Sequence, residues 1–131
     1  MTLEEIADTL PNGLHDLRVA RLSIDFLERV LTLEVSVWTG DLNDERDSER
    51  EARRTGELRL HGLQFCVVEP PDPRYPYNKA DALWLVDLLD ADPVVVGKLS
   101  IPAGGFSSRF YVNQWNSFIH VGACSATLEW T

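Results

Sequence analysis

Residues 17–26 and 30–38 each alternate apolar and polar side chains, and only three residues separate the two runs. A strand sends successive side chains to opposite faces, so a period of two marks a strand with one buried face. Segments joined this closely are antiparallel neighbours, because a parallel crossover needs a dozen or more residues. In the first run Ala20, Leu22, Ile24 and Phe26 point to the core and Arg21, Ser23 and Asp25 to the other face. In the second, Leu31, Leu33, Val35 and Val37 oppose Thr32, Glu34 and Ser36. Leu27, Glu28 and Arg29 make the connection. This hairpin commits the chain to an antiparallel β fold.

The rest of the chain extends that pattern. Thr2 and Glu5 have the spacing of a capping box, and Leu3, Ile6, Ala7 and Leu10 share a helical face, so a short helix precedes Pro11-Asn12-Gly13. Residues 41–55 are almost wholly polar and read as a solvated helical excursion or loop, with Glu49 and Arg53 as an i,i+4 pair. Residues 56–68 resume alternation, with a phase slip at Gly62 that suggests a β-bulge. Residues 69–77, EPPDPRYPY, hold four prolines in nine residues and must leave the sheet. Strands are expected at 82–89, at 93–101 as a short edge strand, and at 109–112, 117–123 and 126–130. The reading is mainly β, α+β at the margin: an antiparallel β-sandwich or strongly curved sheet of about seven strands, with the N-terminal helix packed on its end or open face. A chain of 131 residues suffices for one complete domain, 1–131, without a metal or disulfide staple.

Charge and cysteine usage narrow the partners. The net charge of −9 repels nucleic acid and anionic lipid and favours a basic protein. The first ten residues have neither the basic nor the apolar region of a signal peptide, and no apolar run is long enough to span a bilayer. Cys66 and Cys124 lie in apolar strands and read as reduced core residues of a cytoplasmic protein.

Chemistry-bearing residues are sparse. Phosphate-binding glycine loops, nucleophile elbows and metalloprotease motifs are absent from the sequence. His15, Asp16 and His120, with Asp41 or Glu69, are the candidates for a polar or metal cluster, although no pair has a recognised ligand spacing. His15-Asp16 also suits a turn clasp, holding the loop to the sheet where a strand begins. Residues 111–120 set Trp115 among Asn113, Gln114, Asn116 and Ser117, near His120. An aromatic beside amides suits a protein interface or a sugar-like ligand, unless Trp115 folds back onto the sheet. Tyr75, Tyr77 and Arg74 give the Pro-rich loop a similar character.

Gly13-Leu14-His15-Asp16, then Ile24-Asp25 and the strands running to Trp38-Thr39-Gly40-Asp41, resemble small uncharacterised bacterial β-rich proteins that open with a GxHD turn before a hairpin. Residues 69–77 and 112–121 look like parts of the same kind of protein. A looser likeness, over about the first thirty residues, is to β-rich immunity proteins of bacterial toxin systems. Leu17 stands where a small residue usually follows His-Asp. Neither resemblance brings catalytic residues or a cofactor.

The function expected is therefore non-enzymatic binding of another protein, immunity-type, through an acidic, aromatic-containing surface that includes Tyr75, Tyr77, Asn113, Trp115, Asn116 and His120. The alternative is a small metal-binding protein or hydrolase using His15, Asp16 and His120. A homo-oligomer formed through an exposed edge strand is compatible with the first reading.

Overall fold

A computed structural model describes residues 1–75, 82–96 and 104–131. Tyr77, and residues 97–101 of the expected edge strand, lie outside the described residues. Helix α1 (Leu3–Asp8) is closed at its start by reciprocal hydrogen bonds: the Glu5 amide donates to Thr2 Oγ1 at 3.1 Å, and the Thr2 amide to Glu5 Oε1 at 3.4 Å. Leu3 and Ile6 bury its inner face.

The expected hairpin forms from β1 (Leu17–Asp25) and β2 (Val30–Trp38), with Leu22 opposite Leu33 and Ile24 opposite Leu31. Its inward face differs from the expectation at two places. The register shifts between Val19 and Arg21, so Leu17 and Val19 face the core and Ala20 is an exposed bulge residue. Phe26 belongs to the turn and is 83% exposed. One extra residue in a strand reverses the facing of everything beyond it, which a fixed alternation cannot register.

Residues 41–55 contain one four-residue helix, α2 (Asp47–Arg50), in which Arg50 pairs with Asp47. The expected Glu49–Arg53 pair does not form, because Arg53 already belongs to β3 (Arg53–His61). Its guanidinium instead donates to Ser36 Oγ at 2.9 Å and to the carbonyls of Ser36 and Asp16, both at 2.6 Å.

Gly62 is a corner and not a bulge within one strand. Strand β3 pairs with β8 (Ser125–Trp130), whereas β4 (Phe65–Val68) pairs with β7 (Ser117–Ala123). Both successions bend at the same level, where Gly62 at φ +61° lies against Cys124. A Cβ on Gly62 would come within 2.8 Å of Cys124 Cβ. Strands that turn a corner together fold a sheet over on itself. The order is β4-β7-β6-β5-β1-β2-β3-β8, with β5 at Leu83–Asp90 and β6 at Phe106–Val112. All pairings are antiparallel, and the eight strands form one curved, unclosed sheet.

Residues 93–96 form a helical turn, α3 (Pro93–Val96), in place of the start of the expected edge strand. The core fills the concave side, where Leu31, Leu33 and Leu58 meet Phe110, Val112 and Val121. Both cysteines are free, but they are less buried than expected: Cys66 is half-buried and Cys124, at the corner, is exposed. Burial pushes the Cys66 thiol above its ordinary pKa. Among the described residues, no helix is long and apolar enough to cross a membrane.

Candidate functional site

The sequence-predicted residues separate into three places. The first is the clasp at the entrance to β1. Asp16 takes a left-handed backbone conformation, φ +55°, and its amide donates to the Val86 carbonyl at 3.0 Å. Its carboxylate accepts from Trp84 Nε1 at 2.6 Å, while His15 Nδ1 lies 2.8 Å from Asp87 Oδ1. His15 Nε2 is 3.3 Å from Asp16 Oδ2. These bonds tie the turn to β5, as the clasp reading expects. Asp41 is not part of this group: its carboxylate accepts the Asn43 amide at 2.9 Å and closes a turn of its own.

The second place is the convex face of β6 and β7. His120 is 2% exposed and its Nε2 lies 2.7 Å from Glu69 Oε2. The other oxygen of Glu69 accepts the Phe118 amide at 2.9 Å. Arg109 stacks over the Phe118 ring at 4.5 Å. Asn116, left-handed at φ 47°, accepts from Tyr111 OH at 2.7 Å and donates to Asp72 at 3.3 Å. Arg74 hydrogen-bonds the same Asp72, which holds that carboxyl well below the ordinary aspartate pKa. A carboxylate depressed in this way keeps its contacts above the ordinary aspartate range and loses them only as pH falls through the lowered value. These bonds fasten residues 69–75 to β7, with Tyr75 exposed and Asn113 exposed at the start of the 3-10 turn Asn113–Trp115. Replacing Glu69 by alanine is expected to cost about 2 kcal/mol, because a buried imidazole and a strand amide both lose an acceptor. Urea unfolding measures it, and Glu69→Gln should recover part of the loss.

The third place belongs to Trp115 alone. It packs against the hydrophobic core and lines its concave side, with Leu83, Phe110 and Ile119. It therefore does not share the convex face with His120.

His15, Asp16, Asp41 and His120 thus do not form one cluster: His15 pairs with Asp87, and His120 with Glu69. Among the described residues no group of three or more His, Cys, Asp or Glu is placed to hold a metal ion.

Among the described residues, the two most exposed large apolar side chains lie elsewhere, at the tip of the β1–β2 hairpin near the β4 end of the sheet. Phe26 and Leu27, at the hairpin tip, are 83% and 95% exposed; Val67 and Val68 on β4 are 41% and 47% exposed. Phe26 borders a groove of about 440 Å³ whose lining mixes Ile24, Leu63, Phe65 and Cys66 with Asp25, Arg29 and Gln64. Asp25 fixes the tip by accepting the amides of Leu27 and Glu28, each at 3.0 Å. Arg29 ties it to the corner through two bonds to the Leu63 carbonyl, at 3.1 and 2.7 Å.

The two edges of the sheet differ. At the β8 edge the Ala126 amide donates to the Met1 carbonyl at 2.6 Å, and α1 packs alongside. Among the described residues nothing pairs with the outer edge of β4. Sequence reading missed this surface, although two large apolar residues in a four-residue turn, where Gly, Asn or Asp are usual, were a signal for it.

Comparisons with protein-family models, curated proteins and solved structures find no match to this chain.

Proposed function

We propose that this protein is a non-enzymatic binding protein whose partner is another protein, held at the β4 edge with Phe26 and Leu27 as anchors. The observation that carries the reading is the coincidence, among the described residues, of an unpaired strand edge, exposed valines on it, and a neighbouring groove bordered by Phe26 of a hydrogen-bonded Phe-Leu tip. An open edge offers backbone hydrogen bonds to an incoming strand, and flanking apolar groups supply the desolvated contact that gives affinity. Large apolar side chains as exposed as Phe26 and Leu27, held beside an open strand edge, are the kind of surface that binding sites use.

The partner's character follows from charge. With a net charge of −9, and with Asp25 and Glu28 beside the tip, the surface favours a basic protein. On the likeness to immunity proteins, that partner is a toxin. The convex face holding His120, Asn116 and Tyr75 forms the polar margin of this reading.

The experiment compares proteins retained at moderate salt by the wild type, by Phe26→Ser/Leu27→Ser and by Val67→Lys/Val68→Lys. A specific partner retained by the wild type should bind each variant at least ~30-fold more weakly. The tip variant should change stability by no more than about 0.5 kcal/mol, since both side chains are exposed. A partner bound equally by all three proteins would sink the proposal. Sedimentation at several concentrations tests the related case in which a second copy of the chain pairs along β4.

A further inference from the structure

A half-open cavity of about 220 Å³ lies against the core side of the sheet. Its walls include Val19 and Leu22 from β1, Leu33 from β2, Leu85 from β5, Phe110 from β6 and Ile119 from β7. Native cores are packed closely enough that voids larger than a water are few. An apolar cavity of about 150 Å³ stays dry and admits benzene or xenon.

The cavity lies beside the end of the β1–β5 pairing. Among the described residues β1 pairs with β5 at Leu17–Val19 and Leu83–Leu85, where β5 begins, and β1 is bulged against β2 at Ala20 just beyond that stretch. Leu22, Leu83 and Trp115 border the cavity and are only partly buried, which gives it a route to solvent.

We infer that this cavity is a binding site for a small neutral apolar molecule, about the size of one ring with a short alkyl chain. Charge decides the class. Arg21 is the only charged residue among the described lining residues; its side chain is 71% exposed and paired at 4.0 Å with Glu34 on the convex face. No cation is therefore aimed inward, and a ligand's carboxylate would be buried without a partner. The site is separate from the β4 edge and does not depend on the protein-binding reading.

The test is calorimetric titration of the full chain with butylbenzene, followed in parallel by tryptophan emission. The expected result is saturable one-to-one binding with Kd of about 10–100 µM, within reach of a ten-carbon apolar ligand. The matched anion 4-propylbenzoate should bind at least ~100-fold more weakly. Leu33→Phe and Ile119→Phe fill the cavity from opposite walls, and each folded variant should lose binding. Absence of saturable butylbenzene binding to the wild type overturns the inference, as does equal binding of the anion. Both outcomes are read on the wild type, whether or not either variant folds. Undiminished binding to a folded Phe variant also overturns it.

Discussion

Gly40→Ala is expected to lower stability by about 3 kcal/mol, because the added methyl has no space that a side-chain rotation can create. A Cβ at Gly40 would overlap the Arg50 carbonyl and lie 2.8 Å from the Glu49 carbonyl oxygen. Those backbone groups are held from other directions. Trp38 Nε1 donates to the Arg50 carbonyl at 2.7 Å, the Thr39 amide to Ala52 at 2.9 Å, and the Asp41 amide to Glu49 at 3.1 Å. The Gly40 carbonyl itself accepts from Asn12 Nδ2 at 2.8 Å, which joins the turn after α1 to the end of β2. Moving the 41–52 segment aside would break several of these bonds together. Gly13→Ala is the control. Gly13 has φ +58°, but a methyl there would have no neighbour nearer than 3.8 Å, so only backbone strain of about 1 kcal/mol is expected. Denaturant midpoints at unchanged slope compare the two; equal losses would show that steric closure at Gly40 is not the cause.

Phe110→Ala should be the most damaging truncation in the core, at about 3–5 kcal/mol. Phe110 is fully buried at the centre of β6, opposite Ile119 on one side and Leu88 on the other. Its ring also walls the existing cavity, so its removal enlarges a void that cannot collapse without moving both halves of the sheet. Phe110→Leu keeps most of the volume and should cost about 1.5 kcal/mol. Urea unfolding of the pair checks the ratio. A loss below about 1 kcal/mol for alanine would mean that the two halves do not share one core.

Local signals in the chain were legible where the contacts they describe are local. The Thr2–Glu5 capping box spans one helical turn, and it forms. The alternation through Leu31, Leu33, Val35 and Val37 survives intact because β2 is paired along its whole length by β3 and from Val30 to Ser36 by β1. Alternation failed at Ala20 and Phe26, where a bulge and a turn reset the facing. It also failed at Gly62, where the phase slip of a bulge and that of a strand changing partners look alike in sequence. The site was legible only in part. The His15-Asp16 clasp rests on adjacent residues, but its partners Trp84 and Asp87 are remote in sequence. Trp115 and His120, only five residues apart, go different ways, Trp115 from its 3-10 turn onto the core and His120 to Glu69, which their shared amphipathic context could not reveal.

Sequence by itself determined the antiparallel class, the first hairpin, the N-terminal helix and the acidic balance, because periodicity, capping and charge depend on near neighbours or on none. Tertiary structure alone decided which edge of the sheet stays open, that Phe26 and Leu27 stand beside it, and that a half-open cavity lies against the core side of the sheet. Those outcomes depend on β3–β4 and β7–β8 bending together at Gly62 and Cys124. That bend brings together surfaces whose residues are far apart in the chain, and no local pattern encodes their meeting.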